Sequence, residues 1–177
     1  MSDSKQFVIN FGSLPAGEHE FHFEVNDSFF TQFENSIIQK GNVDVLVVLE
    51  KKENMLLLDF TMEGGVSVPC DRCLEDLGLE VEGYNELIVK FGVADDDESE
   101  DVIVLDPKEY ELNVGQFIYE FLTLMIPMRN VHGEGEDDTE SGCDPDVLKE
   151  LEKHLAKEKE AEETDPRWDA LKGFNPN

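Results

Sequence analysis

The sequence is poor in basic residues, and this shortage argues against one large class of proteins. Its 177 residues include 14 Lys and Arg against 42 Asp and Glu, a formal net charge of -28. Nucleic-acid binding depends largely on Lys and Arg that neutralise phosphates and release counterions. A chain this acidic repels nucleic acid over most of its surface and attracts basic proteins, although a small cationic patch is compatible with its composition. High acidity also has a simpler explanation, which is that a large net charge keeps a protein soluble.

The sequence also lacks the signals of membrane proteins, exported proteins and common enzymes. It has no run of about 18 to 20 apolar residues that would span a bilayer, and residues 1–5 lack the basic and apolar regions of a signal peptide. We therefore expect a cytoplasmic protein with no membrane partner. There is no glycine-rich phosphate loop and no nucleophile elbow, and the carboxylates occur in runs typical of solvated loops. We expect no enzymatic activity, no catalytic residue and no small-molecule substrate.

The chain has three cysteines, and two of them are close in sequence. An odd, clustered set in a reducing compartment points to metal or redox chemistry rather than to a disulfide framework. Cys70 and Cys73 form a Cys-x-x-Cys pair, which can place two thiolates on one tetrahedral zinc ion. The pair lies between two predicted strands, whereas a redox pair normally opens a helix. This setting favours a metal site, with a redox pair and ordinary loop cysteines as alternatives.

The other half of a zinc site is predicted at His132 and Cys143. Thiolate and imidazole are ligands that zinc prefers, and together with Cys70 and Cys73 they would give a Cys3His set. The gap between His132 and Cys143 is wider than in familiar zinc fingers, so the prediction depends on ligand chemistry rather than on spacing. A metal with four protein ligands would be structural, because a catalytic zinc needs an open position. We therefore predict one structural zinc ion and a functional surface elsewhere.

Alternating apolar residues predict strands through the first ninety residues. Residues 43–49 and 56–62 alternate on either side of a polar turn at 51–54 and indicate a hairpin. Gly64 and Gly65 are predicted to break the second of these strands. Further strands are predicted at 20–25, 77–91 and 102–105, with a bend or bulge at Gly83, and residues 27–30 form either a short helix or a turn.

Helices are predicted in the second half of the chain. The clearest spans residues 113–126, with Asn113 as the cap, Gln116 completing a capping box and Pro127 ending it. Its apolar face comprises Val114, Phe117, Ile118, Phe121, Leu122 and Met125. Asp144 and Pro145 begin a second helix, and a short third helix follows in the C-terminal tail.

These elements predict an α+β fold and two segments. The fold would be a mainly antiparallel β-sheet, or a partly closed barrel, with one packed helix and C-terminal helices. Residues 1–132 are predicted to form a β-rich core domain that includes helix 113–126. Residues 133–177 are predicted to be an acidic loop and a helical tail.

Cys70-Asp71-Arg72-Cys73-Leu74 is the first of three short motifs along the chain, and it is similar to the Cys-x-Arg-Cys signature of the YceD family of bacterial proteins. The segment ending at Pro127, followed by His132 and Cys143, is similar to its leucine-proline segment with a trailing His and Cys. The tail resembles the closing Asn/Asp-Pro-aromatic-x-x-Leu motif through Pro166, Trp168 and Leu171. The likeness extends from about residue 40 onward, and this chain departs from the family in its long acidic loops and in having Trp168 in the closing motif.

The resemblance implies a role in biogenesis of the large ribosomal subunit. The family is linked to accumulation of 23S ribosomal RNA, and its genes often neighbour that of a small basic protein of the large subunit. The resemblance also implies that the four metal-ligand candidates form a unit. Our leading hypothesis is a non-enzymatic assembly factor whose acidic surface binds a basic ribosomal protein or another assembly factor, with ribosomal RNA contacted indirectly.

Two other hypotheses remain open at this point. The chain could be a direct RNA-binding processing factor that uses a patch around Arg72, Arg129 and Lys90. Alternatively, it could be a metal-dependent or redox protein that works through Cys70 and Cys73.

Overall fold

The computed structural model describes residues 6–92, 102–133 and 142–160, with side chains up to residue 154. Outside the described residues lie two acidic stretches that we expect to be solvated loops, 95–101 and most of 133–142. The closing-motif residues Pro166, Trp168 and Leu171 are also outside them. The chain divides into two compact units, Met1–Asn130 and Val131–Asn177.

The first unit is built on a five-stranded sheet. The strands of the unit are β1 Val8–Ile9, β2 Gly17–Val25, β3 Lys40–Lys51, β4 Met55–Pro69, β5 Asp76–Phe91, β6 Val102–Leu105 and β7 Leu112–Asn113. The large sheet has the order β2-β3-β4-β5-β6, and a separate two-stranded sheet pairs β1 with β7. Every pairing is antiparallel except that of β5 with β6. The α+β class with a mainly antiparallel sheet is therefore as predicted.

The large sheet is open rather than a closed barrel. Strands β2 and β6 lie at its two edges, and in the part of the chain that the structure describes they do not pair with each other. The partly closed barrel is therefore not confirmed.

The predicted hairpin is the centre of the core. In β3 and β4 every second side chain is buried, because the period of two in the sequence matches the alternation of side chains across a strand. The buried residues of the two strands are Val43, Val45, Val47, Leu49, Leu56, Leu58, Phe60, Met62, Val66 and Val68. The register pairs several of these residues directly, for example Val47 with Phe60 and Leu49 with Leu58.

The two glycine predictions in the sheet are wrong. Strand β4 continues through Gly64 and Gly65 to Pro69, where the sequence predicted a break. A Cβ atom at Gly64 would clash with Asn42 O and lie 2.7 Å from Val43 Cα, so this glycine permits the close approach of β3. Strand β5 has no bulge at Gly83, which pairs with Met62 in continuous register. A Cβ atom at Gly83 would clash with the end of the Met125 side chain, so this glycine makes room for a helix.

Three helices are described, and local capping explains where they begin. The segment Asp27–Phe30 is a short helix, α1, and Asn26 Oδ1 accepts a hydrogen bond from Ser28 N at 3.0 Å. Helix α2 spans Gly115–Met125 and begins two residues later than predicted, because Asn113 belongs to β7 and Val114 is the N-cap residue. Asn113 Oδ1 still accepts a hydrogen bond from Gly115 N at 2.9 Å, which satisfies one of the first N–H groups of the helix.

Among the remaining predictions for the described helices the capping box is the one that fails, while the predicted third helix in the C-terminal tail lies outside the described residues. Gln116 donates to Glu120 instead of forming a capping box. Ile118 and Leu122 of α2 are fully buried in the core. Helix α3 of the second unit spans Pro145–Glu160, and Asp144 Oδ1 accepts from Asp146 N at 2.8 Å, as expected of the predicted cap. None of the described helices has the length and apolar character needed to cross a bilayer.

Candidate metal centre

Residues 70–75, which we call the Cys70 loop, join the C-terminal end of β4 to the N-terminal end of β5. Its backbone is closed by two hydrogen bonds of 2.9 Å, from Cys70 N to Glu75 O and from Leu74 N to Cys70 O. Arg72 N also donates to Cys70 Sγ at 3.4 Å. A thiolate that accepts backbone N–H groups is stabilised in its charged form, which is the form that binds metal. Strand β5, rather than a helix, follows Cys73, so the loop lacks the helical setting typical of a redox pair.

Leu74 is a strained and exposed residue in this loop. Its φ of 65° lies in the left-handed region that favours glycine, and its side chain is 77% exposed. A non-glycine residue in this conformation costs about 1–2 kcal/mol. The packing of the loop does not explain why leucine stands here.

Leu74→Gly is therefore expected to raise the free energy of unfolding by about 0.5–1 kcal/mol, because relief of the strain exceeds the added flexibility of the unfolded chain. Chemical denaturation would measure this change. Leu124→Gly is the matched control: that side chain is equally exposed but lies in helix α2, so its replacement should lower the stability by about 1 kcal/mol. If Leu74→Gly instead lowers the free energy of unfolding, backbone strain at Leu74 is not a significant cost to the fold.

Two hydrogen bonds attach the loop to the segment that follows α2. Asp71 N donates to Asn130 O at 2.7 Å, and Asn130 N donates to Asp71 Oδ2 at 2.6 Å. Asn130 Nδ2 donates in turn to Pro127 O at 3.0 Å. Sequence reasoning missed Asp71 and Asn130. The available signal was an Asp inside a tight loop, a residue type that often accepts backbone N–H groups.

Removing the Asp71 carboxylate is expected to weaken this attachment. Asp71→Ala should lower the free energy of unfolding by about 1 kcal/mol, since the Asn130 N–H loses a charged acceptor in an exposed setting. Asp71→Asn should retain most of the stability because its amide oxygen can still accept. Thermal unfolding of the two variants side by side would test this, and equal losses would show that the hydrogen bond is not the cause.

In the second unit, His132 and Cys143 lie next to each other. Cys143 is buried, and its Sγ is 3.9 Å from His132 Nδ1. Gly142 packs against the imidazole, since a Cβ atom there would lie 3.3 Å from His132 Cβ. Asp144 then caps α3, so the start of this helix determines where Cys143 lies.

The ligand atoms of the four predicted residues come together. Those of Cys70, Cys73, His132 and Cys143 all lie within 4.8 Å of one another. The three cysteines are buried and carry thiols rather than disulfides, and His132 is half-buried.

This donor set fits a structural metal ion. Tetrahedral zinc with Zn–S bonds of about 2.3 Å separates its sulfur ligands by roughly 3.8 Å, which is compatible with ligand atoms that all lie within 4.8 Å of one another. Thiolate and imidazole suit zinc, whereas magnesium and calcium prefer oxygen ligands. Four protein donors fill a tetrahedral shell, so such an ion would have no open position for a substrate.

The three cations of the predicted RNA patch do not lie together. Arg72 is in the Cys70 loop, and Arg129 precedes Asn130, whose backbone is bound to Asp71. Lys90 lies near the opposite end of β5, a strand of 16 residues. At about 3.3 Å per residue such a strand is roughly 50 Å long. A patch beside the loop would therefore involve Arg72 and Arg129 without Lys90.

Comparison with known proteins places the chain in a family. The family model described as "Large ribosomal RNA subunit accumulation protein YceD" matches residues 58–175, a range that contains all four candidate ligands. The chain is also 26% identical over 167 residues to the uncharacterized protein YlbN of Bacillus subtilis (strain 168), with 94% of each chain covered. No solved structure matches the chain significantly. The chain belongs to the YceD family.

Proposed function

We propose that this protein is a non-enzymatic assembly factor of the large ribosomal subunit. It acts in the cytoplasm and supports accumulation of 23S ribosomal RNA by binding a basic ribosomal protein or another assembly factor. The observation that carries this proposal is the family match over residues 58–175, since the family's description names accumulation of the large ribosomal RNA subunit.

The charge of the chain supports a basic protein as the partner. A net charge of -28 attracts Lys- and Arg-rich proteins and repels the RNA backbone. An unassembled ribosomal protein carries a high positive charge that RNA will later neutralise. An acidic factor that shields this charge would keep such a protein available for assembly, and contact with ribosomal RNA would then be indirect.

In this proposal the Cys3His cluster holds one structural zinc ion. Supporting this are the three buried thiols and the imidazole within 4.8 Å of one another. The ion would hold the Cys70 loop in one conformation and take no part in a reaction. The residues that contact the partner would then lie elsewhere on the surface.

Direct RNA binding through Arg72 and Arg129 is the alternative that their proximity leaves open. An Arg72→Gln and Arg129→Gln double variant would test it. If this variant binds ribosomal RNA as the wild type does, the alternative is excluded.

Affinity purification of the full chain from cells, at low and at physiological salt, tests the proposed function. We expect a basic large-subunit protein or an assembly factor to be retained at physiological salt. Retention only at low salt would indicate non-specific charge attraction, and recovery of neither kind of partner at either salt would refute the proposal.

A further inference from the structure

The five-stranded sheet has an outward face that the described elements leave exposed. On this face the register aligns four carboxylates across four neighbouring strands: Glu24 of β2, Asp44 of β3, Glu63 of β4 and Glu82 of β5. We call these four residues the acidic row. All four side chains are exposed, and directly paired residues have Cβ atoms about 4.5–5.5 Å apart.

The acidic row is a source of repulsion within the fold. Like charges directly opposite each other across a sheet are destabilising. Among the residues that the structure describes, no cation forms an ion pair with any member of the row. The ion pairs that involve the sheet, Lys40 with Asp76 and Lys52 with Glu50, lie toward the ends of the strands. A cationic partner would supply the charge that the fold does not place there.

Gly65 leaves an open depression beside the acidic row. The depression has a volume of about 470 Å³ and is lined by Glu63, Gly64, Gly65, Glu80, Val81 and Glu82. Unlike Gly64, Gly65 has room for a side chain: a Cβ atom there would meet only Leu79 O, at 3.9 Å. Internal packing therefore does not require glycine at position 65. A side chain there would occupy the depression, so it is the absence of a side chain that keeps the depression open.

Apolar side chains lie on the same face, beginning beside the acidic row at Leu46 and Tyr84. They continue away from the row along the strands at Val48, Leu57 and Ile88, and all five are half-buried or exposed. Tyr84 is 57% exposed, and its single hydroxyl proton is shared between Asp59 Oδ1 at 2.8 Å and Glu86 Oε1 at 3.0 Å. The pKa of Tyr84 is raised, mainly by the hydrogen bond to Asp59 and to a smaller extent by burial of the hydroxyl and the hydrogen bond to Glu86. Fixed aromatic and aliphatic side chains within a polar surface are common in protein interfaces.

We infer that this face docks a lysine- and arginine-rich polypeptide segment. The cationic head groups lie along the acidic row and enter the depression at Gly65, while the aliphatic parts of these side chains pack on Tyr84 and its apolar neighbours. Charge complementarity selects a basic polypeptide over a nucleic acid, whose phosphates have the same sign as the row. This inference rests on the proposed function and assigns its partner-binding surface.

Fluorescence anisotropy at physiological salt tests the inference with a defined probe, a short labelled peptide in which lysine alternates with threonine. In the row variant the four carboxylates are replaced by their amides through Glu24→Gln, Asp44→Asn, Glu63→Gln and Glu82→Gln. The row variant is expected to bind the peptide about tenfold or more weakly, because several ion pairs of modest strength are lost together. Gly65→Val, which suits a strand and fills the depression, is expected to bind at least about fivefold more weakly while remaining folded.

A charge-matched control separates this face from the charge of the whole molecule. Its four substitutions, each at an exposed residue away from the outward face, are Glu34→Gln, Glu109→Gln, Glu111→Gln and Glu120→Gln. We expect its affinity to stay within about twofold of the wild type. The row variant should also melt at a higher temperature than the wild type because repulsion is relieved, which would exclude misfolding as the cause of weak binding.

Several outcomes would overturn the inference. They are failure of the wild type to bind the peptide, equal weakening in the row variant and the control, and row-dependent binding of a short RNA in place of the peptide. The affinity purification decides the proposed function separately. If the wild type and the row variant both retain a ribosomal protein, the function stands and this surface assignment fails. If the wild type retains neither a ribosomal protein nor an assembly factor, the proposed function fails whatever the peptide does.

Discussion

Cys70→Ser is expected to abolish stoichiometric zinc binding and to lower the melting temperature strongly. A serine hydroxyl does not replace a thiolate as a zinc ligand, and Cys70 is completely buried. Because the unfolded chain has no preformed site, the free energy of zinc binding stabilises the fold. If free zinc exceeds its dissociation constant a thousandfold, this contribution is about 4 kcal/mol. Its loss would be among the largest effects of a single substitution in this protein.

Elemental analysis together with thermal unfolding would measure both effects. Wild-type protein prepared without chelators should contain about one zinc per chain, while Cys70→Ser and Cys143→Ser should contain almost none. Leu74→Gly changes the same loop without removing a ligand and should retain the metal. Metal-free wild-type protein, or a Cys143→Ser variant that keeps its full zinc content, would contradict the four-ligand site.

Gly64→Ala is expected to lower the free energy of unfolding by about 3 kcal/mol, the upper part of the range for overpacking. The added methyl group would meet Asn42 O and Val43 Cα, which are backbone atoms of a paired strand and cannot move aside as a side chain can. Strands β3 and β4 would have to separate at this point. Equilibrium denaturation in urea would measure the loss.

The adjacent glycine provides the control. Gly65→Ala adds the same methyl group where only Leu79 O lies within 4 Å. This variant should keep the wild-type stability or gain up to about 1 kcal/mol, because alanine restricts the unfolded chain. Similar losses in the two variants would show that flexibility of the glycine pair, rather than close approach of β3 at Gly64, governs stability.

The strands could be predicted from the sequence because a sheet with one buried face imposes a period of two. Val43 through Leu49 and Leu56 through Met62 follow this period, and the structure pairs them as a hairpin. The parallel pairing of β6 with β5 had no such signal. The sequence predicts a strand at 102–105, but its partner and direction depend on tertiary packing.

The glycines and the start of α2 show why local signals fail. A glycine in a strand indicates either a break or a close approach, and the distinction depends on residues far along the chain, Val43 for Gly64 and Met125 for Gly83. Asn113 Oδ1 does accept a hydrogen bond from the first N–H group of α2, as its side-chain chemistry predicts. Asn113 also pairs with Val8 in β1, which keeps it outside the helix, and the N-cap position is Val114.

For the candidate site, ligand chemistry was more informative than spacing. Three thiols and an imidazole were identified as a set by what zinc binds, and the structure brings their ligand atoms together. The bonds between Asp71 and Asn130 escaped prediction because one joins two backbone groups and the other joins a carboxylate to a backbone N–H, and backbone groups leave no trace in the residue pattern. The separation of Lys90 from Arg72 depends on β5 being continuous, because a bend at Gly83, as predicted, would have brought its two ends closer together.

The ratio of 23S to 16S ribosomal RNA in cells depleted of this protein tests the proposed function most directly. We expect depletion to lower the ratio and the wild-type chain to restore it. The charge-matched control variant should restore it as well, whereas the row variant should restore it only in part. An unchanged ratio after complete depletion would contradict a role in accumulation of the large ribosomal RNA.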